Sequence, residues 1–157
     1  MSLNVIVDKE KEKARKFNYH DFCYLGNHDI FKIGVIIIQG NQFHKQSDYD
    51  DLVNYISELT EETIKISERN YGKPNFIICA DLKKTTLKNV DMKFIKKIIP
   101  TLQDKYPDRL EKCIIRNIPI FFKMVYSIIC PLIDKVTRKK IYFEKKNENK
   151  NYLSNEL

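Results

Sequence analysis

The chain has 157 residues, 43% hydrophobic and 31% charged, a balance that fits one globular domain with a real core and excludes wholesale disorder. Its four glycines and the lack of any fixed-period repeat exclude glycine-rich phosphate loops and repeat architectures. The net charge of +7 favours anionic partners, and it is unevenly spread, with residues 48–62 acidic and 83–97 and 135–150 basic.

In chain order, residues 1–17 read as a charged arm with few apolar anchors. Residues 22–25 read as a short strand, and Gly26-Asn27-His28-Asp29 as a turn. The continuous β-branched run Val35-Ile36-Ile37-Ile38 predicts a strand covered on both faces. A helix follows over 49–70, capped by Asp48, with Leu52, Ile56, Leu59, Thr63 and Ile66 at helical spacing. Gly72-Lys73-Pro74 stops it, and residues 76–80 form a second continuous apolar strand ended by Asp81. The next helix, 91–105, places Phe94, Ile95, Ile98, Ile99 and Leu102 on one side, and Pro100 is expected to kink or shorten it. Tyr106-Pro107 terminates that helix. Residues 113–115 are a third strand, 121–130 a very apolar helix closed by Pro131, 134–139 a short basic helix and 141–143 a fourth strand. Residues 145–157 are a polar tail, leaving 18–144 as the folded unit. Apolar strands joined by helix-length connections define an α/β fold with a small, mostly parallel sheet flanked by helices.

The chemistry-bearing motifs of common enzymes are missing: no nucleophile elbow, Walker loop, dinucleotide fingerprint or H-E-x-x-H. His20-Asp21 and His28-Asp29 are better read as surface turn residues than as metal ligands, and no metal or cofactor is expected. Asp81, at the carboxyl end of a strand, is a position where α/β sites often lie. Without a partner motif it reads as a loop hydrogen-bonding group, and a hydrolase built on it is the weakest hypothesis. The basic residues around Tyr142 and Phe143 read as a solvated rim on core aromatics, so nucleic acid is not an expected partner. Cys23, Cys79, Cys113 and Cys130 form no C-x-x-C pair, and three lie in apolar runs. Buried free thiols and a cytoplasmic, reducing compartment are expected. The longest apolar stretch, 118–133, is interrupted by Lys123, Pro119 and Pro131 and falls short of the about 20 apolar residues a membrane span needs.

From residue 106 onward, four segments resemble the CRAL-TRIO (Sec-fourteen-like) lipid-binding family. Tyr106-Pro107-Asp108-Arg109-Leu110 resembles its Y-P-E-R-L, and Asn117-Ile118-Pro119 its I-N-x-P. Pro131-Leu132-Ile133-Asp134-Lys135-Val136-Thr137 resembles P-F-L-D-x-x-T, and Lys140-Ile141-Tyr142-Phe143 the closing K-I-x-F strand. The resemblance spans roughly residues 33–143 and fits the short branch of the family, without the N-terminal helical lobe. It implies a non-catalytic module that binds or transfers lipid. The apolar helix before residue 131 becomes a gate over the sheet, and the lipid lies between the two. The lining expected on this basis is Ile78, Ala80, Ile115, Phe121, Phe122, Val125, Ile129, Ile141 and Phe143. Lys135, Arg138, Lys139 and Lys140 are expected to dock on anionic membrane, making the protein peripheral. A buried chain of about 14 carbons contributes roughly 11 kcal/mol gross, and each basic group near an anionic surface about 1 kcal/mol. Cys130 stands where inositol-gripping members carry lysine, and Asp108 where they carry glutamate, so the lipid class stays open. Some members of the short branch bind proteins instead, and a protein-interaction module with a collapsed pocket, in signalling or trafficking, is the alternative.

Overall fold

The computed structural model describes residues 17–144, so the charged arm up to residue 16 and the polar tail lie outside the described residues. Phe17, assigned above to the arm, is buried in the core. A short helix α1 (Tyr19–Phe22), whose Asn18 side chain accepts from the His20 N–H, leads into β1 (Cys23–Leu25). Phe22 therefore belongs to a helical turn rather than to the predicted strand. Then come β2 (Gly34–Gln39), α2 (Asp50–Tyr71), β3 (Phe76–Asp81), α3 (Met92–Lys105), β4 (Leu110–Arg116), α4 (Phe122–Ile129), α5 (Lys135–Arg138) and β5 (Ile141–Phe143). Short 3-10 turns follow β2, precede α3 and link α4 to α5.

The five strands lie side by side in chain order. β1 is antiparallel to β2, and the remaining pairs are parallel. Pairing register sorts the side chains by face. Two rows, Ile36–Ile78–Cys113–Ile141 and Ile38–Ala80–Ile115–Phe143, share the face that also carries Phe76 and Leu110. Helices α2 and α3 pack on it through Leu52, Val53, Ile56, Phe94 and Ile98. The intervening residues Val35, Ile37, Ile77 and Cys79 are buried on the opposite face with Ile33. This is why the strands read as continuous rather than alternating apolar runs.

Helix α2 approaches the sheet closely. A Cβ at Gly34 would sit 2.4 Å from the carbonyl oxygen of Thr63, and the Gly34 N–H donates to Ser67 Oγ at 2.8 Å. The buried stripe of α2 accordingly continues through Thr60, Thr63 and Ser67, all fully buried, rather than through the larger Ile66. The Thr60 and Thr63 hydroxyls donate back to Ile56 and Leu59 carbonyls at 2.7 Å, so their burial leaves no orphan polar group. At the start of the helix, the Asp48 carboxylate accepts from the Asp50 N–H.

Pro100 does not shorten α3, which runs through it to Lys105. The apolar stripe on both sides of the proline is held against the same sheet face, and this packing outweighs the one backbone hydrogen bond that proline removes. Among the described residues, no helix is long and apolar enough to cross a membrane.

Candidate functional site

The family-like segments form turns around one hollow region. Tyr106 ends α3 and donates its phenol to the Ser57 carbonyl (3.0 Å) and to Glu61 (3.1 Å); burial and that carboxylate push its pKa up to about 12, so it stays a neutral donor. Asp108 holds a left-handed backbone angle of 59°, and its carbonyl accepts from Asn75 Nδ2. Arg109 reaches the Pro74 carbonyl at 3.3 Å, pinning the start of β3. At the other end of the sheet, Asn117, also left-handed, donates to Asp81 Oδ1 at 2.8 Å, and the same oxygen accepts from the Lys83 N–H. Asp81 is thus committed to loop structure. Asp134 caps α5, accepting from the Thr137 N–H (2.8 Å) and hydroxyl (2.7 Å), which hold its carboxyl below the usual range. Gln103 ties α3 to the segment before α5, accepting from the Asp134 N–H and donating to the Leu132 carbonyl.

Between these turns, α4 lies over the helix-bearing face of the sheet at β4 and β5. Its inner side carries Phe122, Val125, Tyr126 and Ile129. Phe122 stacks on Tyr126 with ring centroids 5.7 Å apart, and both rings contact Phe143. Beneath the helix is an apolar cavity of about 260 Å³. Its floor is Phe76, Ile78, Leu110, Cys113, Ile115 and Ile141, and its walls are Ile99, Leu102, Tyr106, Phe122, Tyr126, Ile129 and Ile133. Gln103, Asp134, Thr137 and Lys140 add polar groups. Burial raises the Cys113 thiol to about 12, so it remains an uncharged part of the floor. A second apolar cavity, about 160 Å³, lies on the far side of α4 against Ile38, Gly40, Leu82, Phe94, Phe121 and Val125.

Seven of the nine residues expected to line a ligand site border these spaces. Ile78, Ile115 and Ile141 line the larger cavity, Phe121 and Val125 the smaller, and Phe122 and Ile129 both. Ala80 and Phe143 lie in the same row of the same sheet face but in neither wall; Phe143 is exposed and meets the site through Phe122 and Tyr126. Of the four expected docking cations, Lys135 and Lys139 are exposed. Arg138 is partly buried and donates from Nε to the Ile133 carbonyl at 2.7 Å, and Lys140 lines the larger cavity. The contributions of Ile99, Leu102 and Tyr106 were missed; the α3 stripe signalled a buried face but not what it faces.

The outer side of α4 and the turn before it also carry apolar residues, beside the exposed Lys123 and Ser127. Ile120, Met124 and Ile128 follow one another at four-residue spacing and are 100%, 56% and 49% exposed, with Val136 nearby in sequence at 57%. Apolar residues on two sides, one over a cavity and one in solvent, explain why this segment reads as apolar nearly all round.

His20 is hydrogen-bonded with Tyr55 and His28 with Tyr71, and among the described residues no group of three or more metal-ligating side chains converges.

Comparison with known proteins places this architecture. The model of the CRAL/TRIO domain matches residues 18–157, and the chain belongs to that family. The chain superposes on the crystal structure of Sfh5 with a TM-score of 0.66 and 22% identity, covering 90% of this chain and 61% of that one. Protein real-time of Aedes aegypti is 25% identical over 122 residues, 73% of this chain and 19% of that protein. The phosphatidylinositol transfer protein PDR17 of Saccharomyces cerevisiae is 29% identical over 87 residues, 55% of this chain and 23% of that protein. The chain thus spans about a fifth of the length of these curated relatives.

Proposed function

We propose that this chain is a non-catalytic lipid-binding module that holds a hydrophobic ligand between α4 and the sheet and docks on anionic membranes. The apolar cavity of about 260 Å³ carries the reading. A core that served packing alone would close such a space, because an unfilled apolar void forfeits dispersion contacts on every wall. Membership of the CRAL/TRIO family, and a relative named for phosphatidylinositol transfer, support it.

The outer ridge of α4 supplies the membrane contact in this reading. Ile120, Met124 and Ile128 enter the interfacial zone, and the exposed Lys123, Lys135 and Lys139 add about 1 kcal/mol each toward an anionic surface. With the outer side in lipid, displacement of α4 opens the inner cavity directly to the bilayer. Native mass spectrometry of the purified chain and flotation with phosphatidylserine vesicles at low salt test the reading. A co-purified lipid and salt-sensitive flotation are expected. A lipid-free protein that ignores the vesicles overturns it.

A further inference from the structure

The two cavities meet at the same helix. The larger opens among residues at the amino ends of the parallel strands, such as Tyr106 and Lys140; the smaller reaches Gly40 and Leu82, beyond the carboxyl ends of β2 and β3. Phe122 and Ile129 belong to both walls, so these two side chains are the partition. Phe122 is half-buried, its ring stacked on Tyr126 and steeply inclined to half-exposed Phe143, and passage between the cavities requires this side chain to turn.

Resting on the lipid-binding reading and narrowing its ligand, we infer that the site takes a single-chain amphiphile, whose one linear chain runs beneath α4 through both cavities past Phe122 and Ile129. The volumes decide this. A methylene needs about as much room as a water molecule, roughly 30 Å³. The larger cavity, about 260 Å³, then holds about nine methylenes, and the smaller, about 160 Å³, about five. One chain of about fourteen carbons matches the two volumes together, and two chains of that length need about twice as much. The polar groups set the direction. Lys140 stands at the larger cavity, where a head group emerges, beside Thr137 and Asp134, which are engaged with each other in the α5 cap. On the smaller cavity, Asn89 is spent on the Asn41 and Phe43 carbonyls and Asp91 on Tyr49 and Lys93; the Thr85 hydroxyl lacks a partner, but it is one neutral group against the Lys140 ammonium at the larger cavity.

The delipidated full chain, titrated calorimetrically with saturated fatty acids of eight to eighteen carbons, myristoyl lysophosphatidylcholine and dioctanoyl phosphatidylinositol, tests the inference. One-to-one binding is expected, tightening about fourfold per added methylene and levelling off near fourteen carbons. In Phe122→Trp, with Ile129→Phe as the second variant should the first not fold, the plateau moves down to about nine carbons. A plateau that neither folded variant moves overturns the path past the partition. Dioctanoyl phosphatidylinositol binding as tightly as the best single-chain ligand overturns the single-chain assignment and leaves lipid binding intact. Binding of none of these ligands overturns both.

Discussion

The same sheet face is filled in two different ways. Over β1 to β3, the rings of Phe17, Phe22, Phe43, Tyr49 and Phe94 pack edge to face, tilted or, for Phe43 and Tyr49, stacked, with centroids 5.2–6.3 Å apart, and all five residues are buried. Even the polar end of Tyr49 is satisfied, donating to Asp91 at 2.6 Å. Over β4 and β5, only Val125 and Ile133 of the covering segment are buried and the larger cavity remains, while the smaller one lies at the boundary, between α4 and Phe22, Phe43 and Phe94 of the aromatic cluster. The difference comes from helix length and burial. Helix α2 has 22 residues and α3 has 14, with several buried side chains on α2 and Phe94 and Ile98 buried on α3; α4 has eight, of which Val125 is buried. In the lipid-binding reading this short helix is the element proposed to move.

Substitutions on the two sides should separate a rigid scaffold from a compliant cover. Phe94→Ala, at the centre of the aromatic cluster, is expected to cost about 3–5 kcal/mol in urea unfolding. Phe122→Ala deletes the same atoms from a ring that is only half-buried, and is expected to cost under about 2 kcal/mol. Equal losses at the two sites would erase the distinction and favour a collapsed pocket. Asp134→Ala removes the cap of α5 beside the cavity, with an expected loss of about 1 kcal/mol at pH 7. Because the folded carboxyl titrates below its unfolded value, that contribution is present above about pH 4 and is lost as pH falls through the lowered value. The gap between wild type and variant should therefore close in acid, and a pH-independent gap would assign the loss to packing instead. Met124→Ser and Ile128→Ser, on the outer ridge, are expected to change stability by less than about 0.5 kcal/mol while weakening vesicle flotation. Unchanged flotation would separate the ridge from membrane contact.

The motifs that betrayed the family make turns, from which Tyr106, Asp134 and Lys140 border the larger cavity. Asp134 acts within its own turn, whereas Tyr106 reaches Ser57, Asp108 accepts from Asn75, Arg109 reaches Pro74 and Asn117 reaches Asp81, all far away in the chain. The turn-forming residues themselves are contiguous, so the motifs are legible in a string of letters while their partners are not. The mostly parallel α/β class was legible too, since apolar runs of strand length joined by helix-length segments leave few alternatives. Local rules read the helix through Pro100 to Lys105 but misjudged Phe22 and Phe17, whose environments depend on distant Phe43 and Phe94.

The sequence by itself determined the architecture, the family-like turns and the unusual apolarity of residues 120–133, because these depend on periodicity and on neighbours in the chain. Only the tertiary structure decided that this apolarity divides into an inner wall and an outer ridge, that Arg138 is held by the Ile133 carbonyl, and that the space under α4 is two cavities parted by Phe122 and Ile129. Whether packed side chains fill or leave a volume depends on the distances between elements far apart in sequence. No pattern along the chain encodes a gap.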